Sequence, residues 1–195
     1  VGFALQELKG KKKAFIVTDK VLFDLGYTKK ITDVLDSLNI KYDLFSDVEP
    51  EPTLSLVERA LKACRSLQPD VIIALGGGSP MDAAKGMWLF YEHPEVNFDD
   101  LKQKFMDIRK RAFRYPELGK KANLVCIPTT SGTGSEVTPF AVISDKVANK
   151  KYPLADYSLT PTVAIVDPAF TVNLPASITA DTGMDVLTHA TEAYV

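Results

Sequence analysis

The sequence predicts an α/β fold, a parallel sheet with helices on both faces. Short apolar runs of strand type, Lys13–Thr18 (KAFIVT), Asp70–Leu75 (DVIIAL) and Asn123–Ile127 (NLVCI), alternate with longer stretches of helical periodicity. The second run stops at three consecutive glycines, Gly76–Gly78, and a Ser79-Pro80 step then opens a small-residue helix. That junction strips away side chains where a helix N-terminus, with its unpaired N–H groups and positive dipole end, can meet an anion. It points to a nucleotide or dinucleotide site.

The elements follow in order. After Lys13–Thr18 and Asp19, helical periodicity covers Val21–Asn39, interrupted near Gly26. Lys41–Phe45 reads as a short strand and Glu49–Pro52 as a loop. Thr53 suits the N-cap of a helix running to about Leu67. The Asp70–Leu75 strand, the glycine loop and a helix to about Tyr91 complete a β-α-β-α-β-α alternation. Such sheets bind ligands beyond the C-terminal ends of their strands, where Asp19 and the glycines both fall. His93–Lys121, rich in charge and in aromatics (Phe98, Phe105, Phe113, Tyr115), reads as a helical insertion. Asn123–Ile127 then enters the loop Pro128–Ser135. Glu136–Ser144 alternates like a strand and is expected to pair with the region around Tyr152. Thr162–Val166 is expected to be a last buried strand. From Pro168 the chain turns polar and helical, with a domain boundary near Leu174–Thr179 at Pro175.

Bulk properties narrow the classes. The 195 residues, 46% apolar and 25% charged, fit one domain with a real core, or one domain and the start of another. A net charge of −2 gives no footprint for nucleic acid, and the basic runs Lys11–Lys13 and Arg109–Arg114 read as solvated faces. No apolar run approaches the ~20 residues that span a bilayer, and no signal peptide is expected. Cys64 and Cys126 lie outside any CxxC pattern and read as reduced, buried thiols, which points to the cytoplasm. The chain begins at Val1, and His189–Val195 stops inside an uncapped helical pattern. The expectation is a piece of a longer polypeptide.

Four groups of residues carry chemistry. Gly76-Gly77-Gly78-Ser79 matches neither GxGxxG nor GxxxxGK[ST]. Ser79 suits a helix N-cap, Pro80 the first helical position, and Asp82 a capping-box partner. A phosphate cradle and a ligand-free tight turn both remain open. Thr129-Thr130-Ser131-Gly132-Thr133-Gly134-Ser135 offers neutral donors for phosphate or ribose, or a plain surface loop. Asp19 is placed either to accept from adenosine ribose hydroxyls, repelling a 2′-phosphate, or to cap the following helix. Asp185 and His189, at i and i+4, share a helix face with metal-ligand spacing, or form a surface pair. The other histidine, His93, does not complete a set.

Taken together, IALGGGSPMDAAK at 73–85, IPTTSGTGSEVTPFAV at 127–142 and GMDVLTHATEAY at 183–194 resemble the iron-dependent (group III) alcohol dehydrogenase family. MWLFYEHPEVNFDDLKQKFMDIRKR at 87–111 and KYPLADYSLTP at 151–161 resemble the alcohol dehydrogenase half of its bifunctional aldehyde–alcohol dehydrogenases. The resemblance implies a Rossmann-like parallel-sheet, NAD-binding α/β domain over 1–175. It implies the first helix, 176–195, of a truncated all-helical iron-binding domain. It puts Asp19, Gly77, Gly78, Ser79, Thr129, Thr130, Thr133 and Lys151 at cofactor contacts, beside the Gly76 and Asp82 of the glycine motif. Asp185 and His189 become the first two of four ligands to Fe²⁺, or Zn²⁺, with two histidines to come from downstream. Glu51 departs from the family's usual Asn. The implied reaction is acetaldehyde, or a similar short aldehyde, to ethanol with NADH, with no catalytic side chain beyond the metal ligands. Rival expectations are a glycerol dehydrogenase-like polyol enzyme and a filament-assembly module using Phe98–Tyr115. Expected partners are the small-molecule substrate and further copies of the chain in an oligomer or filament, with neither nucleic acid nor membrane.

Overall fold

The computed structural model describes residues 1–101 and 114–195. Five parallel strands, β1 (Lys13–Asp19), β2 (Lys41–Val48), β3 (Val71–Gly76), β4 (Asn123–Pro128) and β7 (Val163–Ala164), form one sheet in the order β2-β1-β3-β4-β7. β5 (Phe140–Asp145) and β6 (Lys150–Ala155) form a separate antiparallel hairpin. The helices are α1 (Gly2–Leu5), α2 (Lys20–Asp24), α3 (Lys29–Ser37), α4 (Leu54–Leu67), α5 (Gly78–Glu92), α6 (Phe98–Leu101) and α7 (Ala176–Tyr194).

The apolar runs became central strands because both of their faces are covered. Register aligns Phe15 with Ile72, Ile72 with Leu124, and Val17 with Ala74. Those side chains enter one core with α4, α5 and the hairpin, while Ile16, Ile73 and Val125 enter a second core with Ile31, Leu35 and Phe170. Thr53 caps α4 as expected, its hydroxyl accepting from the Leu56 amide at 3.3 Å. Gly26 does split the helical stretch, into α2 and α3. At the far end of α5 the buried Glu92 carboxylate accepts from the amides of Lys120, Lys121 and Ala122, fixing the entry into β4. Both cysteines are buried and free, and burial pushes their thiols up to about 12.

Two expectations need correction. Thr162–Val166 is not a buried strand. Only Val163 and Ala164 pair, on the sheet edge, and both are exposed. The strand expected from Glu136 begins at Phe140, because a turn at Gly134 and the capture of nearby carbonyls by Lys85 hold residues 136–139 out of the ladder. The chain also forms a helical turn over Gly2–Leu8 that periodicity did not reveal. Residues 102–113 of the expected helical insertion, including Phe105, Phe113 and Arg109–Arg111, lie outside the described residues. No helix among the described residues is long and apolar enough to cross a membrane.

Candidate active site

In a parallel sheet of order 2-1-3-4-5 the strand order reverses between β1 and β3, and the loops leaving those strands diverge to open a crevice. Here β1 ends at Asp19 and β3 at the glycines, on directly paired strands. The acid therefore precedes the glycines in sequence yet lies beside them in space. A cleft of ≈ 740 Å³ opens at this point, lined by Asp19, Gly77, Gly78, Ser79, Thr129 and Thr130 among others.

The glycine loop has a steric basis. Gly76 has φ +151°, and a Cβ there would lie 2.5 Å from Pro80 Cγ. This sharp turn lets α5 begin at Gly78 with Gly77 as N-cap. The expectation that Ser79 caps the helix, with Asp82 completing a capping box, is thus corrected: Ser79 and Pro80 are already inside the first turn. With a glycine at the cap, no side chain occupies the amides of Gly78 and Ser79, which sit where an anion would be held.

The second loop stays attached to the first. The Thr129 amide donates to the Gly76 carbonyl at 3.0 Å, and Thr130 lies over Gly77 as Thr133 does over Gly78. Asp19 serves as N-cap of α2, Oδ1 accepting from Leu22 at 2.9 Å, and it also lines the cleft. Glu49 and Pro50, from the loop after β2, join the same wall. Val21, Leu22, Leu25, Leu174 and Ile178 make the rest largely apolar.

Gly76, Thr133, Asp82 and Lys151 do not line the cleft. Lys151 instead pairs with Glu51 at 2.7 Å on the surface. Glu51 has φ +56°, a left-handed conformation that Asn tolerates better than Glu, consistent with the Asn usual at that place in the family it resembles. Asp82 faces inward and accepts from the Val142 amide at 3.1 Å. Burial pushes its carboxyl up to about 6, against the opposing pull of that bond and of Lys85.

Lys85 was missed by sequence reasoning. Wholly buried, its Nζ donates to the carbonyls of Thr138 and Phe140, both at 2.7 Å, and burial lowers its pKa. Asp82 and Lys85, one turn apart on α5, thus pin the strand that follows the threonine loop. The detectable signal was a lysine three residues after an aspartate inside an otherwise apolar helix.

Asp185 and His189 share one face of α7, Oδ1 to Nε2 at 3.7 Å, both partly solvent-exposed. The donor set, one carboxylate and one imidazole, fits part of the shell of a divalent cation. Among the described residues no group of three or more His, Cys, Asp or Glu is placed to hold a metal ion.

A parallel sheet in this order, with a glycine turn and an acid both lining the cleft at its switch point, is a doubly wound α/β fold. Comparison with known proteins sharpens the class. The family model for iron-containing alcohol dehydrogenase matches residues 1–168. An aldehyde-alcohol dehydrogenase of Streptococcus pneumoniae is 63% identical over 193 residues, 98% of this chain and 22% of the relative. The bifunctional aldehyde-alcohol dehydrogenase AdhE of Escherichia coli is 55% identical over 186 residues, 95% of this chain and 21% of the relative. An NADPH-dependent butanol dehydrogenase of Clostridium saccharobutylicum is 47% identical, over 98% of this chain and 47% of that protein. Among solved structures, an iron-containing alcohol dehydrogenase from Thermococcus thioreducens superposes with a TM-score of 0.87 at 30% identity, covering 96% of this chain and 48% of the other. The sulfoacetaldehyde reductase of Bifidobacterium kashiwanohense, in complex with NAD⁺, superposes at 0.80 and 31% identity, covering 94% and 46%. The chain belongs to the iron-containing alcohol dehydrogenase family. It spans about a fifth of the length of the bifunctional relatives that it matches.

Proposed function

We propose that this chain supplies the cofactor wall and the first two metal ligands of an NAD(H)-dependent alcohol dehydrogenase of the bifunctional aldehyde–alcohol type. The reaction is the reversible reduction of a short aldehyde, acetaldehyde foremost, to its alcohol. The observation that carries this reading is the cleft at the β1/β3 switch point, with an uncapped helix start on one wall and Asp19 on the other. Bound there, the nicotinamide cofactor supplies hydride, and a divalent metal, Fe²⁺ or in its place Zn²⁺, supplies Lewis-acid polarisation of the carbonyl oxygen.

The chain's own residues do the rest. The Gly78 and Ser79 amides and the dipole of α5 hold the pyrophosphate, and the Thr129 and Thr130 hydroxyls donate from the facing loop. The second carboxylate oxygen of Asp19, not used by Leu22, accepts from ribose hydroxyls. Asp19 and Glu49 place two carboxylates on the lining, where a 2′-phosphate would meet like charge. This supports NAD over NADP, although one relative is named as NADPH-dependent. Leu22, Leu25, Leu174 and Ile178 keep water from the cofactor's apolar faces. Asp185 and His189 hold the metal from one side, and the remaining ligands come from outside these residues.

Assembly of the complete cytoplasmic enzyme into an oligomer or filament belongs to the same reading, supported by the resemblance to bifunctional enzymes. The complete enzyme should oxidise ethanol with NAD⁺, lose that activity on chelation and regain it with Fe²⁺. Full activity in a metal-stripped preparation would contradict the proposal.

A further inference from the structure

α7 is 19 residues long and has no buried residue. Among its residues from Ala176 onward only Thr182 and Asp185 are half-buried; the rest are exposed. Thr182 meets the threonine loop at Gly132. A Cβ on Gly132 would lie 2.6 Å from the Thr182 carbonyl oxygen, 2.7 Å from its Cβ and 3.0 Å from its Cα. Two of those three atoms are backbone, so the neighbour cannot turn aside. Gly132 is therefore the point at which the cofactor loop admits the helix.

The docked face is also the functional face. Ile178, Thr182, Asp185 and His189 recur at intervals of four, three and four residues, the spacing of one helix side. Ile178 lines the cleft, Thr182 touches the loop, and Asp185 and His189 follow one and two turns on. From this geometry we infer that Gly132 is a positioning residue. By lacking a side chain it seats α7 and sets where the Asp185–His189 pair stands relative to the cofactor loop. The inference rests on the proposed function for its metal, but the seating of α7 stands apart from it.

The test uses the complete enzyme carrying Gly132→Ala. A second variant, Thr182→Leu, crowds the same contact from the helix side at a residue outside the packed core. In both, amide hydrogen exchange of 176–194 should accelerate by about tenfold while that of α5 stays unchanged. Affinity for Co²⁺, read from its visible absorption, should fall by about 10–100-fold, as when the support of a ligand is disturbed. NADH affinity by fluorescence should change less than about twofold, because the Gly78 and Ser79 amides belong to α5. The substrate kcat should fall with little change in the KM for NADH. Unchanged exchange and Co²⁺ affinity in the folded variants would overturn the inference. So would a parallel loss of NADH affinity, which would make Gly132 part of the cofactor cradle. Should the unmodified enzyme bind no metal, the proposed function fails, while exchange of α7 still decides whether Gly132 seats the helix.

Discussion

Two helices reach the cleft, α5 through Gly78–Pro80 and α7 through Ile178, and they are held in opposite ways. α5 is buried along nearly its whole length, packed on β1 and β3 and pinned to the hairpin through Asp82 and Lys85. α7 has no fully buried residue, only Thr182 and Asp185 being half-buried, and Thr182 closely approaches the body at Gly132. The contrast follows from what each offers. α5 presents backbone amides, whose direction is fixed once the helix is fixed, so packing alone organises them. In the proposed function α7 presents the side chains of Asp185 and His189, part of a metal shell, and it approaches the body closely at Gly132. The cofactor side should therefore be robust to changes at the metal side, and not the reverse.

The largest expected effect breaks the comparison at its weaker helix. His189→Ala in the complete enzyme should lose metal by elemental analysis and lower kcat by about 10³-fold, the upper scale for removing a group that stabilises developing charge. NADH binding should stay within about twofold, since α5 is untouched. Equal loss of NADH affinity would mean that the two halves are not separable.

Gly76→Ala strikes the other side. It combines a left-handed φ with a Cβ driven into Pro80, and should cost about 2–4 kcal/mol by urea denaturation and remove NADH binding. A folded variant with normal NADH affinity would show that the glycine turn does not aim α5.

How much of this could be read from the sequence depended on where the cause lay. The strands Lys13–Thr18 and Asn123–Ile127 and the Thr53 cap were legible because burial and capping act within a few residues. The start of α5 was misjudged because the Gly76 turn is sterically coupled to Pro80, four residues on, so Gly77 takes the cap position that Ser79 suits by composition. Val163 looked buried because β-branched character does not distinguish a central strand from an edge. Asp19 was legible as a candidate, but its adjacency to the glycines required the strand order. The spacing of Lys85 from Asp82 was legible but its role was not, because its acceptors, the Thr138 and Phe140 carbonyls, lie more than fifty residues away. The Gly132–Thr182 contact has the same origin.

Asp19→Gly should sharpen the specificity side of the cofactor wall. Losing like-charge repulsion, it should shift the NAD-to-NADP ratio of kcat/KM toward NADP by about tenfold or more. An unchanged ratio removes Asp19 from that role.

Asp82 gives a smaller, pH-dependent effect. Its folded carboxyl, near 6, binds a proton more tightly than an ordinary aspartic acid at 3.8. The stability it contributes is thus present below about pH 4 and lost as pH rises through about 6. Asp82→Asn should flatten that decline in chemical denaturation. Near pH 7.5 it should be the more stable form by about 2 kcal/mol, part of the gain being offset by the lost neighbour of Lys85. The smallest effect belongs to the surface: Lys151→Ala, which breaks an exposed pair with Glu51, should cost less than about 0.5 kcal/mol, and less still at high salt.

The most direct test of the central claim is a crystal structure of the complete enzyme with NAD⁺. The account places pyrophosphate oxygens within about 3.2 Å of the Gly78 and Ser79 amides and the adenosine ribose on the Asp19 carboxylate. A cofactor bound away from the β1/β3 switch point, with those amides facing only solvent, would contradict it.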